Sequence, residues 1–124
     1  MNAYMDRTEI ALWVWHADGR WSPRTVWVVV LDEEAYVRSA FGRRSAWYRR
    51  VLRHADTEVE VAGVRLSVTL RPVDDPELVQ RVSGAYRAKY GSNWPGPVES
   101  MNGPEAAATT MRLTNVGQVS QLPA

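Results

Sequence analysis

A chain of 124 residues, 45% hydrophobic and 23% charged, is long enough to bury a core without disulfide or metal staples and is expected to form one domain over residues 1–124. Its net charge of +1 excludes a global electrostatic pull toward nucleic acid or anionic membranes, and the lack of cysteine excludes thiol nucleophiles, thiolate metal sites and disulfides. No run of about 18 apolar residues occurs, and residues 1–10 carry neither an apolar signal core nor a basic leader, so a cytoplasmic protein is expected.

Residues 1–8 have no periodicity and are expected to be a loose arm. Residues 9–16 alternate, with Ile10, Leu12 and Val14 on one side and Ala11, Trp13 and Trp15 on the other, which predicts a strand buried on both faces. Asp-Gly and Ser-Pro signals within 17–24 predict a chain reversal into a strand over 25–31, apolar on both faces and therefore central. Asp32-Glu33-Glu34 reads as a solvated hairpin turn, since consecutive carboxylates with no histidine partner make a poor metal site. A strand over 35–39 follows, broken at Ala40-Phe41-Gly42, and Ser45 can cap a short helix carrying Trp47, Tyr48, Val51 and Leu52.

Residues 57–61 and 64–73 alternate around Ala62-Gly63, a tight hairpin turn. Asp75 followed by Pro76 is a helix start, with a buried stripe of Leu78, Val82 and Ala85 and a stop at Gly91, so Asp74 and Asp75 have a structural use. The Gly- and Pro-rich segment 92–106, with Trp94, is expected to be a loop, 107–116 a last strand, and 117–124 a polar tail. The sum is an α+β protein, about six strands in a small antiparallel barrel with two helices.

Chemistry concentrates in one window. Between Glu34 and Asp56 there is no carboxylate, while Arg38, Arg43, Arg44, Arg49, Arg50 and Arg53 all fall there. Guanidinium groups without local counter-ions repel one another, and an anion such as phosphate relieves this through bidentate hydrogen bonds. A helix opening at Ser45 would add free amides beside Arg43 and Arg44. His16 and His54 have no acid or serine at motif spacing, Ser22, Ser39 and Ser45 lack the setting of an activated nucleophile, and no zinc ligand set or P-loop is present. A chain without titratable machinery can still be an enzyme when a cofactor supplies the reactive atoms. Six tryptophans and five tyrosines offer faces for a ring system or nucleobases, with Trp47 and Tyr48 nearest the basic window and Trp13, Trp15 and Trp27 read first as core.

Three tracts resemble the split-barrel flavin-binding proteins related to pyridoxamine phosphate oxidase, in particular the deazaflavin-dependent nitroreductase branch and an uncharacterised bacterial family within it. They are Gly19-Arg20-Trp21-Ser22 leading into Arg24-Thr25-Val26-Trp27, then Tyr36-Val37-Arg38-Ser39, then Ala46-Trp47-Tyr48. Segments 61–75, 86–91 and 103–113 extend the similarity over nearly the whole chain. The resemblance implies a six-stranded split β-barrel with two helices and a homodimer whose subunits share a groove for FMN or a deazaflavin. It places the phosphate near Arg24, Thr25, Ser39, Arg43, Arg44, Trp47 and Tyr48, and the ring along the strand that carries Thr25, Val26 and Trp27. Pro23, Val26 and Arg49-Arg50 depart from the nitroreductase pattern, which puts cofactor retention in question while leaving the fold.

Three readings follow. The first is an oxidoreductase-type module binding FMN or a deazaflavin at a dimer interface; its catalytic residues are not readable from sequence. The second is a cofactor-free split-barrel homodimer that serves as a binding or structural protein. The third, nucleic-acid binding through the arginine helix, is weakest because the positive charge is local.

Overall fold

The computed structural model describes Tyr4 and residues 9–118. The rest of the expected N-terminal arm and residues 119–124 of the expected tail lie outside the described residues. Six strands, β1 (Glu9–Trp15), β2 (Trp21–Leu31), β3 (Glu34–Val37), β4 (Asp56–Val61), β5 (Val64–Pro72) and β6 (Met111–Gln118), close into an antiparallel barrel in the order β1-β2-β3-β6-β5-β4. A 3₁₀ turn (Gly42–Arg44) and α1 (Ala46–Arg53) join β3 to β4. Helices α2 (Pro76–Tyr90), α3 (Pro95–Met101) and α4 (Pro104–Ala107) join β5 to β6.

Alternation along the strands builds two cores. Ile10, Leu12 and Val14 of β1, Val26 and Val28 of β2, Val59 and Val61 of β4 and Val68 and Leu70 of β5 point into the barrel. Helix α1 closes this interior with Trp47, Tyr48 and Val51, and Tyr4 joins it, 3% exposed, its hydroxyl donating to Asn115 Oδ1 at 2.5 Å. The opposite face of β2 and β3 carries Trp27, Val29, Leu31 and Tyr36, which α2 and α3 cover with Val82, Tyr86, Tyr90, Val98 and Met101. That is why β2 is apolar on both faces: its odd and even positions serve different cores. Each large side chain so buried contributes about 1.5–3 kcal/mol.

Turn chemistry matches expectation at two hairpins. Ala62 and Gly63 have φ of 53° and 80°, and Asp32 and Glu33, with φ of 51° and 67°, form the β2–β3 turn, where Arg81 holds Asp32 at 2.5 Å. Asp75 caps α2 by accepting from the Glu77 amide at 3.1 Å, with Pro76 at the first helical position.

Element boundaries differ from the sequence expectation at several points. Strand β2 begins at Trp21, because Pro23 pairs with Trp13 and leaves only a short turn over 16–20. The segment expected as a loop over 92–106 contains α3 and α4. Their prolines stand at first helical positions, where a missing N–H costs nothing, so residues read as breakers are starters. Among the described residues the fold therefore has four α-helices rather than two. The last strand reaches Gln118, into the expected polar tail, through pairing with β5.

The largest buried side chain that is not hydrophobic is Arg38, 1% exposed, just past β3. Its Nε donates to Thr110 Oγ1 at 2.8 Å; Nη1 lies 3.0 Å from Ser83 Oγ and Met101 O and 3.1 Å from Asn102 Oδ1; Nη2 donates to Val79 O at 2.8 Å. One guanidinium thus ties together the end of β3, α2, α3 and the start of β6, with no carboxylate in contact among the described residues. Burial lowers its pKa from the ordinary arginine value, but arginine remains charged in a protein. Arg38→Met strands these acceptors in the interior and should destabilise the fold by about 3 kcal/mol or more in urea unfolding; an unchanged midpoint would show that the network carries no net stability.

Gly42 opens the 3₁₀ turn at φ 68°, and a Cβ there would lie 3.0 Å from Glu105 Cβ. Gly42→Ala should therefore cost about 1–2 kcal/mol through left-handed strain and crowding against α4, read as a lowered Tm.

Candidate functional site

Strand β2, the segment between β3 and α1, and helix α3 enclose a cavity of ≈610 Å³. Thr25, Val26 and Trp27 form one wall, Trp47 another, and Phe41 and Met101 close its sides. The volume falls in the range of small-molecule sites, about 300–1,000 Å³. Trp27 is held in place from behind: its ring stacks on Tyr90 at 4.3 Å and 12°, and tilts against Trp94 at 5.7 Å. Tyr90 and Tyr86 are fixed in turn, donating hydroxyls to Val28 O at 2.7 Å and Trp27 O at 2.9 Å. Burial raises the pKa of both phenols, so they remain neutral donors. Helix α2 thus grips β2 through backbone carbonyls and orients the indole that faces the cavity.

Among the described residues, charge on this cavity comes from Arg38 and Glu9. Arg38 is partnered by dipoles rather than by a carboxylate, so it brings an uncompensated positive charge to this lining, with Glu9 as the opposing charge. Four of the nine residues assigned to cofactor binding from the resemblance, Thr25, Val26, Trp27 and Trp47, converge here. Arg43 and Arg44 line a separate, shallower depression of ≈380 Å³ with Pro104, Glu105 and Ala108. Arg44 lies 3.5 Å from Glu105, so it has a counter-ion supplied from far along the chain.

The remaining three lie elsewhere. Arg24 is exposed and donates to Pro23 O at 2.8 Å. Tyr48 is 5% exposed within the barrel core, its ring edge-on to Trp47 at 6.3 Å. Ser39 is 1% exposed; its amide donates to Thr109 Oγ1 at 2.9 Å and its own Oγ has no partner.

Nor do the six arginines of the carboxylate-free window form one cluster. Arg38 turns into the protein, Arg43 and Arg44 sit on the 3₁₀ turn, and Arg50 and Arg53 lie at the far end of α1 on another cavity. The sequence reading missed Phe41, Pro97, Ser100 and Met101 as cavity walls. Pro95 at the start of α3 was the available signal for the last three, since it marks a helix rather than a loop. His16 and Ser22, which have no motif spacing, are brought to 2.6 Å by the β1–β2 pairing. Among the described residues no group of three or more potential metal ligands is found, and no helix is long and apolar enough to cross a membrane.

Solved structures share this architecture. HutZ, the haem storage protein from Vibrio cholerae, superposes with a TM-score of 0.65 at 12% identity over 93% of this chain and 84% of its own. A Listeria innocua protein named for pyridoxamine 5′-phosphate oxidase gives 0.63 at 11% identity, covering 93% and 87%. A structure named F420 reductase gives 0.51 at 16% identity, covering 95% and 92%. The chain spans 48% of Campylobacter jejuni ChuZ, which matches 89% of it at 11% identity and a TM-score of 0.63. The fold is therefore that of the split barrels related to pyridoxamine phosphate oxidase. None of the curated proteins matches the chain in sequence. Residues 1–113 match one family along most of the barrel, and the chain belongs to it: DUF2255, described as "Uncharacterized protein conserved in bacteria".

Proposed function

We propose that this protein is a flavin-type oxidoreductase module, a cytoplasmic homodimer that binds FMN or a deazaflavin in the groove along β2. The observation that carries this reading is the convergence of Trp27, Trp47 and the Thr25–Val26 segment on one cavity of ≈610 Å³. Two indoles give a planar ring apolar walls, and Thr25 gives it a polar edge. The exposed Arg43 and Arg44 follow Phe41 on the chain and suit a phosphate lying outside the ring cavity. The Arg44–Glu105 pair is open to solvent, and such pairs contribute about 0–1 kcal/mol, little enough for a phosphate dianion to displace.

When bound, such a cofactor supplies two-electron redox chemistry. The chain's own part is to grip and orient: no imidazole lines the cavity, and Glu9 is its one carboxylate among the described residues. The Arg38 guanidinium on the cavity lining favours ligands that carry or develop negative charge. Phe41, 73% exposed at the mouth, is the apolar surface that a second subunit would cover.

The second reading, a cofactor-free homodimer acting as a binding protein, draws on Arg44 already having Glu105 as partner. Haem, which the Vibrio cholerae neighbour is named for storing, finds no histidine on this cavity, since His16 and His54 line the other end of α1.

Equilibrium titration of FMN and of a deazaflavin against the purified protein, read by tryptophan and flavin fluorescence, tests the assignment. At least one should bind with a Kd of about 10 µM or tighter, with a mass in solution of twice the protomer. Arg43→Ala combined with Arg44→Ala should weaken FMN about tenfold or more while leaving riboflavin unchanged. Equal losses for both would remove the phosphate role, and binding of neither cofactor would leave the second reading standing.

A further inference from the structure

The turn between β1 and β2 and the C-terminal end of α1 enclose a second cavity, ≈570 Å³, which shares no lining residue with the groove along β2. Its walls hold Arg20, Arg50 and Arg53, both histidines of the chain, and Trp15. The one carboxylate on it among the described residues, Asp18, is already engaged: it accepts from Arg20 Nε at 2.7 Å and from the Arg20 amide at 3.0 Å. Arg50 and Arg53 have no carboxylate within ion-pair distance among the described residues, and Arg50 is half-buried. They stand three residues apart on one face of the helix.

A helix C-terminus favours cations, and this accounts for part of their placement. It accounts for His54, the C-cap of α1, but not for His16, which the end of β1 brings to the same cavity. His16, 9% exposed, is fixed through Nε2 to Ser22 Oγ at 2.6 Å. His54 is stacked on Trp15 at 4.6 Å and 28°. Cations without counter-ions, two oriented imidazoles and an indole floor make a recognition surface for a compact, doubly charged oxyanion. The volume exceeds what a bare inorganic ion needs and leaves room for an organic group against Trp15.

We propose that this cavity is a second oxyanion site that takes a small phosphate monoester, its phosphate held by Arg50, Arg53 and His16 and its organic part lying on Trp15. The site is independent of the flavin reading. Its charges also make it pH-dependent. In the free protein burial, then Arg50 and Arg20, hold the His16 pKa below the ordinary 6.5; Asp18 opposes this and Arg24 adds to it, while Arg53 and His54 complete the groups around the cavity. A bound dianion reverses the local potential, so His16 takes up a proton with the ligand and affinity rises as pH falls toward the imidazole range.

The test is NMR of the His16 and His54 imidazoles in the full chain, titrated with inorganic phosphate and with phenyl phosphate, with sodium chloride at matched ionic strength as control. Phenyl phosphate should give saturable shifts of both rings with a Kd of about 1 mM or tighter. It should bind several-fold more tightly than inorganic phosphate and raise the pH at which His16 titrates. Arg50→Gln with Arg53→Gln should weaken it about tenfold or more. Arg53→Gln alone, at an exposed position, should give a smaller loss and keeps the test open if the double variant does not fold. Arg43→Ala with Arg44→Ala should leave the imidazole response intact, which separates this site from the flavin phosphate. Non-saturable shifts, shifts that chloride reproduces, or affinity unchanged by Arg50→Gln and Arg53→Gln would each overturn the proposal. Equal affinity for the two phosphates would overturn the ester assignment.

Discussion

The buried guanidinium of Arg38 is the interaction on which this arrangement depends. A charge in the interior without a carboxylate is tolerable only where enough oriented dipoles replace its water, and here they come from α2, from the end of α3 and from the residue that precedes β6. Donating to Val79 O and to Met101 O fixes α2 and α3 relative to each other. The bond to Thr110 Oγ1 fixes where β6 begins, and with it the register that closes the barrel. The same side chain lines the β2 cavity, so the group that organises the helical layer also sets the electrostatics of the candidate site.

Strand β2 is the second organising element, because it belongs to both cores at once. Val26 and Val28 face the barrel, while Trp27, Val29 and Leu31 face α2. Where β2 passes from pairing with β1 to pairing with β3, the carbonyls of Trp27 and Val28 receive the hydroxyls of Tyr86 and Tyr90, and Lys89 Nζ donates to Val28 O as well at 2.8 Å. Satisfying these acceptors from α2 lets the strand run at the cavity wall without orphaned backbone groups. A ligand there would meet a surface whose aromatic side chains are already locked, which reduces the ordering cost of binding.

Helix α1, only eight residues long, separates two chemical environments. Its first turn presents Trp47 to the apolar groove, and its last turn presents Arg50 and Arg53 to the basic cavity by the β1–β2 turn. One short helix across a barrel mouth can do this because its buried face, Trp47, Tyr48 and Val51, anchors it, leaving both ends free to line different depressions.

Much of this was legible in the amino-acid sequence. Alternation in β1, β2, β4 and β5, the Ala62-Gly63 turn and the Asp75-Pro76 helix start are local consequences of side-chain period and backbone preference, and they persist in the fold. Resemblance also points to Thr25, Val26, Trp27 and Trp47, which line one cavity in the fold. What the sequence could not decide was where charge would go. Six arginines without nearby acids read as one patch, yet folding buried Arg38, gave Arg44 a partner 61 positions away and sent Arg50 and Arg53 to another cavity. Burial and counter-ions depend on which distant segments meet, and only closure of the barrel, with α3 and α4 laid against it, settles that.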